Sequence, residues 1–238
     1  MPDKTPTPIL PNVAVAFTDI VSSSTMWRWD SSAMSRVLDW HQQQVETTTR
    51  TYQGMILKSI GDSFMVLFVD HTPSASPLAR ALDWAAELQQ KIRIASRDRK
   101  SFLTFKDPNS SSKKMFQIRI GIANGPVYAK QVNLQHCKNF LDVFGNTVNV
   151  ASRLESKISV PGGFGVWKVG EEGNEGNEEI GSRRLSRHYT LTEVNFSDRR
   201  PCKRGRSSRL LSPSDYQCTP VENLRGISIQ RAYLFRPK

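Results

Sequence analysis

Two carboxylates with suggestive positions open the case for chemistry. Asp19 ends a short apolar run, Val13-Ala14-Val15-Ala16-Phe17, which reads as a buried strand. Asp62 sits in Gly61-Asp62, between two strand-like runs, Met55 to Ile60 and Ser63 to Val69. A two-residue Gly-Asp link between such runs is a hairpin signal. One Asp at a strand end is ordinarily a helix cap, and one Gly-Asp is ordinarily a turn. Together, in a strand–helix–hairpin arrangement, the two come near each other. Adjacent carboxylates repel, and a divalent cation relieves them; magnesium takes oxygen ligands and bridges carboxylates to substrate phosphates. A pair of such ions activates an attacking oxygen and stabilises a leaving one. A second constellation is Asn149 and Arg153, four apart on a segment with helical periodicity. They share one face of that helix. An amide beside a guanidinium can orient a sugar and neutralise a phosphoryl group. The alternative, a solvated helix face, is weakened because Asn is a poor helix-interior residue.

The elements that would position these residues follow from pattern. Ser22 to Thr25 suits a turn into a helix, and Met34, Val37, Leu38, His41 and Val45 keep helical spacing over 33–52, with Gly54 closing that helix. Ser76-Pro77 opens a second helix, with Pro at its first position and Leu78, Ala81, Leu82, Ala85, Leu88 and Ile92 as the buried stripe. Residues 97–114 are polar and read as a surface insertion. Phe116 to Ile122 alternates as a strand, Asn124-Gly125-Pro126 is turn chemistry, and Val127 to Val132 forms a further strand. Residues 146–158 are helical on Val148, Ala151, Leu154 and Ile158, and Ile227 to Phe235 reads as a closing strand. The order strand, helix, strand, strand, helix, strand is the ferredoxin-like βαββαβ pattern, an α+β fold with C-terminal additions. Residues 1–12 are Pro-rich and polar, and 13–238 form one domain.

Composition narrows the class. The 238 residues, 38% apolar, suit a single domain with an ordinary core. No run approaches the roughly 18 apolar residues of a membrane span, and no apolar leader segment is evident; the expectation is a soluble, cytoplasmic protein. The three cysteines (Cys137, Cys202, Cys218) form no C-x-x-C pair, and the four histidines lack ligand spacing, so neither a disulfide framework nor a zinc site is expected. The net charge of +11 admits nucleic acid as a partner. Much of it, however, lies in an Arg/Ser-rich stretch behind an acidic Gly/Asn stretch, within 170–214, which reads as solvated insertion loop. No nucleic-acid partner is expected.

Three blocks then become recognisable. Phe17-Thr18-Asp19-Ile20, Lys58 to Phe64 and Phe144 to Arg153 resemble the signature blocks of class III adenylate/guanylate cyclase catalytic domains, in order and spacing, from about Val13 to Phe235. The resemblance implies an adenylate cyclase that makes cyclic AMP from ATP with two Mg²⁺ or Mn²⁺ ions per site. It implies that Asp19, Asp62 and the Ile20 carbonyl hold the metals, and that Lys58 and Asp142 read the base. Lys with Asp implies adenine, since guanylate cyclases usually carry Glu and Cys-like residues there; an ammonium donor and a carboxylate acceptor complement adenine's ring nitrogen and amino group. Asn149 would orient the ribose and Arg153 would stabilise the transition state. The resemblance further implies a homodimer whose sites are shared, one subunit supplying the aspartates and the other the remaining four residues. This sequence departs from the family at Ala123, where many members have His, and at Lys130, where Gly is common. Near the last strand many members place a phosphate-binding Lys; Arg225 and Arg231 are the candidate cations here, with Ile227 at the position itself as the alternative. Two rivals are a catalytically silent relative that binds nucleotide, and a polymerase-like palm domain, which has no need of the Lys58/Asp142 pair or of the Asn149/Arg153 helix.

Overall fold

The computed structural model describes residues 8–70, 75–96, 101–134, 137–158, 164–168, 216–220 and 232–237. The expected insertion at 170–214, together with Arg225 and Arg231, lies outside these residues. The first strand, β1 (Ile9–Ile20), leads into two helices, α1 (Ser23–Trp29) and α2 (Ser31–Thr51). The sequence pattern suggests one helix here. Asp30 makes the break: its backbone is extended and its carboxylate accepts the Ala33 N–H at 2.7 Å, capping α2. At the far end of α2 the left-handed residue is Gln53 (φ 54°), not Gly54. Gly54 is small for a different reason: a Cβ there would lie 2.7 Å from the Phe68 ring.

The hairpin β2 (Met55–Ile60) and β3 (Ser63–Val69) turns at Gly61, whose φ of +62° favours glycine. Helix α3 (Pro77–Ser96) follows, with the Ser76 hydroxyl accepting the Ala79 N–H at 3.2 Å. The buried Arg80 donates to the carbonyls of Tyr52 and Gln53 (3.3 and 3.0 Å) and of Val69, so it satisfies acceptors left over at the end of α2. Where a surface insertion is expected, β4 (Thr104–Lys106) and β5 (Lys113–Met115) form a two-stranded ribbon. Leu103, Phe105 and Phe116 bury themselves around it, which ties the ribbon to the core.

Strand β6 runs unbroken over Ile118–Leu134 and pairs with β7 (Cys137–Phe144), a strand that sequence pattern does not suggest. The turn expected at Asn124-Gly125-Pro126 does not form. The Asn124 amide instead donates to the Val13 carbonyl at 2.8 Å and to the Asn12 side chain at 3.2 Å. A bulge in β1 between Leu10 and Val13 absorbs the register beside Pro126, which has no N–H to give. Helix α4 (Asn146–Lys157), β8 (Phe164–Lys168), β9 (Tyr216–Pro220) and β10 (Ala232–Pro237) complete the described chain. The sheet order is β2-β3-β1-β6-β8-β10-β9, with β7 also on β6. Its β2-β3-β1-β6 portion is the ferredoxin-like order expected from sequence, and the later strands extend that sheet.

Both sheet faces are covered. Ala14, Ala16, Val66, Phe68, Ile118, Ile120 and Ile122 pack against residues of α2 and α3 such as Val37, Val45 and Trp84. Val13, Val15, Met65, Leu67 and Ala123 pack against Val150, Ala151 and Leu154 of α4 and against Ala129 and Val143 of the β6–β7 ribbon. Among the described residues no helix is long and apolar enough to cross a membrane.

Candidate active site

The period-2 alternation of a strand places Asp19 on the α4 face, two residues beyond Phe17. Ser63 on β3 and Arg119 on β6 meet it there. The Ser63 hydroxyl donates to Asp19 Oδ1 at 2.9 Å, and Arg119 Nη2 pairs with Asp19 Oδ2. Arg119 Nε also lies 2.8 Å from Glu155 Oε1 on α4, an ion pair whose angle falls short of a directed hydrogen bond. Asp62 sits at the hairpin tip, and its Oδ2 is buried with no hydrogen-bond partner. Burial pushes the Glu155 carboxyl above the usual range. Arg119 pulls it down, the charge on Asp19 raises it, a Ser156 hydroxyl contact lowers it, and Asp62 adds a smaller upward push. Two carboxylates, Asp19 and Glu155, therefore share one guanidinium.

Gly121 makes this cluster possible. A Cβ at that position would lie 2.2 Å from the Ala151 carbonyl oxygen and 2.3 Å from the Glu155 amide nitrogen. The backbone of α4 thus rests directly on β6 and carries Glu155 onto Arg119. Neither Arg119 nor Glu155 stands out as functional from sequence. A signal did exist: Arg119 is the charge inside an apolar strand, and Glu155 lies four residues from Ala151 on the helix's buried stripe.

Lys58 and Asp142 form the second cluster. Lys58 Nζ donates to both carboxylate oxygens of Asp142, at 2.7 and 2.9 Å. Asp142 is buried and also accepts the Val143 N–H at 2.9 Å, whereas the lysine side chain is about one-third exposed. Two backbone features bring the pair together. A bulge between Ile56 and Lys58 in β2 sets Lys58 opposite Met65 instead of Phe64, which moves it from the α2/α3 face to the α4 face. The second is a curl of the β6–β7 ribbon. Lys58 is level, strand by strand, with Met65, Phe17 and Gly121, but Asp142 is level with Lys130. From Gly121 to Lys130 a straight strand would run roughly 30 Å. Contact requires the ribbon to fold back over the sheet, and the packing of Ala129 and Val143 against Val13, Val15 and Met65 agrees.

Asn149 and Arg153 are exposed on α4. Arg153 and Glu155, two residues apart, point about 200° from one another around the helix. Glu155 faces its own chain's Asp19 cluster, so Asn149 and Arg153 face away from it. Ile20 ends β1 with its side chain buried. Ala123 is buried in the core on β6, and the exposed Lys130 is the cross-strand partner of Asp142.

Solved structures of nucleotide cyclase catalytic domains share this mixed α+β fold. Residues 6–162 match the profile of the adenylate and guanylate cyclase catalytic domain, and the chain belongs to that family. It is 28% identical over 151 residues to an adenylate cyclase of Podospora anserina, a match covering 60% of this chain and 6% of that protein. An adenylate cyclase of Mycobacterium tuberculosis is 34% identical over 104 residues, 44% of this chain and 20% of the relative. The chain thus spans a small part of the curated relatives it matches. In fold it is similar to the adenylyl cyclase CyaB from P. aeruginosa (TM-score 0.63, 17% identity, 98% of this chain and 96% of that one). It is also similar to the guanylate cyclase domain of RhGC from Catenaria anguillulae in complex with GTP (TM-score 0.58, 17% identity, 97% and 99%).

Proposed function

We propose that this domain is an adenylate cyclase, converting ATP to 3′,5′-cyclic AMP and pyrophosphate at sites shared between two copies of the chain. The observation that carries the adenine assignment is the Lys58–Asp142 pair, a donor and an acceptor already side by side. It can open to meet adenine's ring nitrogen and amino group. The adenylate cyclases among its relatives support the same reading.

The shared site is supported by α4. Arg153 faces away from the Asp19 cluster of its own chain, so a substrate touching both Asp19 and Arg153 needs two copies. Exposed apolar side chains flank the Lys58–Asp142 pair and give such an interface material. Ile60 lies on the Lys58 side of β2, and Phe144 on the Asp142 side of β7, opposite the exposed Tyr128. An isologous interface would create two equivalent sites.

The donor set fits Mg²⁺ or Mn²⁺. It is oxygen only and net negative, and Asp62 Oδ2 is a buried acceptor without a donor. Among the described residues no group of three or more His, Cys, Asp or Glu is placed to enclose an ion. Asp19 and Asp62 would therefore hold the ions with the Ile20 carbonyl and substrate phosphate oxygens. Bound there, the metals would lower the pKa of the ribose 3′ hydroxyl and neutralise charge on the phosphates. The ribose 3′ oxygen attacks the α-phosphorus as the bond to the bridging oxygen breaks, and pyrophosphate leaves. Asn149 holds the ribose, and Arg153 meets the negative charge that builds at the α-phosphate. Incubating the purified chain with ATP or GTP and Mg²⁺ or Mn²⁺, with chromatography of products, tests the reading. Cyclic AMP is expected from ATP. Cyclic GMP as the main product would overturn the adenine assignment, and nucleotide binding without either product would mark a silent relative.

A further inference from the structure

We infer that the β4–β5 ribbon is a docking surface for an anionic lipid membrane, met by its lysines and by the apolar side chains at its foot. The inference stands apart from the nucleotide chemistry. Strand alternation puts Phe105 and its cross-strand partner Lys114 on one face of the ribbon, and Thr104, Lys106, Lys113 and Met115 on the other. The first face turns inward: Phe105 is buried, and Lys114 Nζ lies 5.9 Å from the centre of the Trp29 ring. The second turns outward, with Lys106 and Lys113 exposed directly opposite each other. Like charges in that register repel and weaken the ladder. An anion lying across the two converts that repulsion into attraction.

The nearby carboxylates are engaged elsewhere. Asp107 belongs to the ribbon's own turn, where it accepts the Asn109 N–H at 2.9 Å and the Ser110 hydroxyl at 3.0 Å. Asp30, beside Trp29, caps α2. Among the described residues neither Lys106 nor Lys113 has an ion pair. Apolar side chains stand beside them. Met115 shares the outer face, Phe102 sits at the foot of the ribbon with its ring edge-on to Trp40, and Ile94 is on the last turn of α3; each is about half exposed. The Ser101 hydroxyl donates to the Ala95 carbonyl at 2.7 Å, which ties the foot of the ribbon to the helix end. Leu103 and Phe116 are buried, and the Phe116 N–H donates to the Leu103 carbonyl at 2.8 Å, so the ribbon is firmly mounted. Cations flanking apolar tips suit a bilayer interface, where lysines meet lipid phosphates and apolar side chains reach the acyl boundary. A standard protein interface needs roughly 800 Å² from each partner. The outer face of a ribbon with three residues per strand is too small for that. A bilayer needs neither that area nor a matching shape.

Sedimentation of the whole chain with phosphatidylcholine vesicles, with and without phosphatidylserine, tests this. The parent should bind the phosphatidylserine vesicles and lose binding as salt rises. Lys106→Ser with Lys113→Ser should weaken that binding by up to about thirtyfold, the loss of two lysines near an anionic surface. Phe102→Ser with Met115→Ser should weaken it too but keep the salt dependence. Melting temperature and nucleotide turnover of the lysine variant should match the parent's. The Arg-rich stretch within 170–214 also attracts anions, so the difference between variants and parent carries the test. Parent binding no better with phosphatidylserine than without overturns the inference, as does either folded variant that binds as the parent does. Should the Phe102 and Met115 variant fail to fold, the lysine variant decides alone. Binding to soluble polyglutamate that the lysine variant loses, with its vesicle binding unchanged, would assign the surface to an acidic protein and overturn the lipid reading.

Discussion

The two faces of the sheet do different work. Toward α2 and α3, β1, β3 and β6 present Ala14, Ala16, Val66, Phe68, Ile118, Ile120 and Ile122, closed over by Trp84 and its neighbours. The polar member His41 is wedged edge-on between Phe64 and Phe116, with ring centroids 5.6 and 5.4 Å away. Toward α4, the same strands carry Asp19, Ser63 and Arg119, and the bulge in β2 adds Lys58. One face invests in burial; the other spends part of its area on charge. Chemistry should then be removable from the α4 face at little cost to the fold, and stability adjustable from the α2/α3 face at little cost to chemistry.

The strongest attack on that division is Asp62→Ala or Asp19→Ala. Cyclic AMP production should fall to background while the melting temperature stays close to that of the parent. Near-parental turnover in either variant would remove the metal assignment. Next in size is Lys58→Glu with Asp142→Cys, which exchanges the groups offered to the base. Two charged hydrogen bonds are at stake, so the ATP-to-GTP preference should fall by roughly ten- to hundredfold. An unchanged ratio of cyclic products means that the pair does not read the base.

Mixing Asp19→Ala with Arg153→Ala comes third. Each should be inactive alone. A heterodimer has one site with both lesions and one with neither, so free exchange should restore about a quarter of parental activity. Differently tagged subunits that co-purify but stay dead would place both residues in a site within one chain.

The smallest effect is confined to the buried face. Burial lowers the pKa of His41 from 6.5 to about 4, and neither ring nitrogen has a partner. The unfolded chain binds a proton that the folded chain refuses between those values. The neutral ring's stability advantage is thus full above about pH 6.5 and declines as pH falls toward 4, by up to about 3 kcal/mol. His41→Leu should flatten this part of the denaturation profile and leave turnover at neutral pH unaltered. A profile as steep as the parent's would assign the acid sensitivity elsewhere.

Periodicity and capping made β1, α2, the β2–β3 hairpin, α3 and α4 legible, because each buries a regular stripe and ends in turn chemistry. The continuous β6 was hidden by Asn124-Gly125-Pro126, whose local preference for a turn yields to the Asn124 side-chain hydrogen bonds and a bulge in the neighbouring strand. β7 has little alternation and owes its existence to pairing with β6. Asp19, Asp62, Asn149 and Arg153 were singled out by strand-end, hairpin and helical spacing, and Ile20, Lys58 and Asp142 only by the resemblance to the cyclase blocks. Arg119 and Glu155 were not, since a salt bridge between a strand and a later helix has no sequence period. The bulge that turns Lys58 to the α4 face was equally silent, for one extra residue in a strand leaves composition unchanged.

The contact at Gly121 has a consequence for how such a domain can change over time. Where backbone lies on backbone, no side chain can be trimmed or enlarged to retune the gap, so helix and strand form a joint without adjustment. Lys58 and Asp142 are carried by a bulge and a curled ribbon, parts that can be rebuilt without touching that joint. On the proposed reading, the pair offered to the base can therefore be rebuilt while the joint beside Asp19 stays fixed.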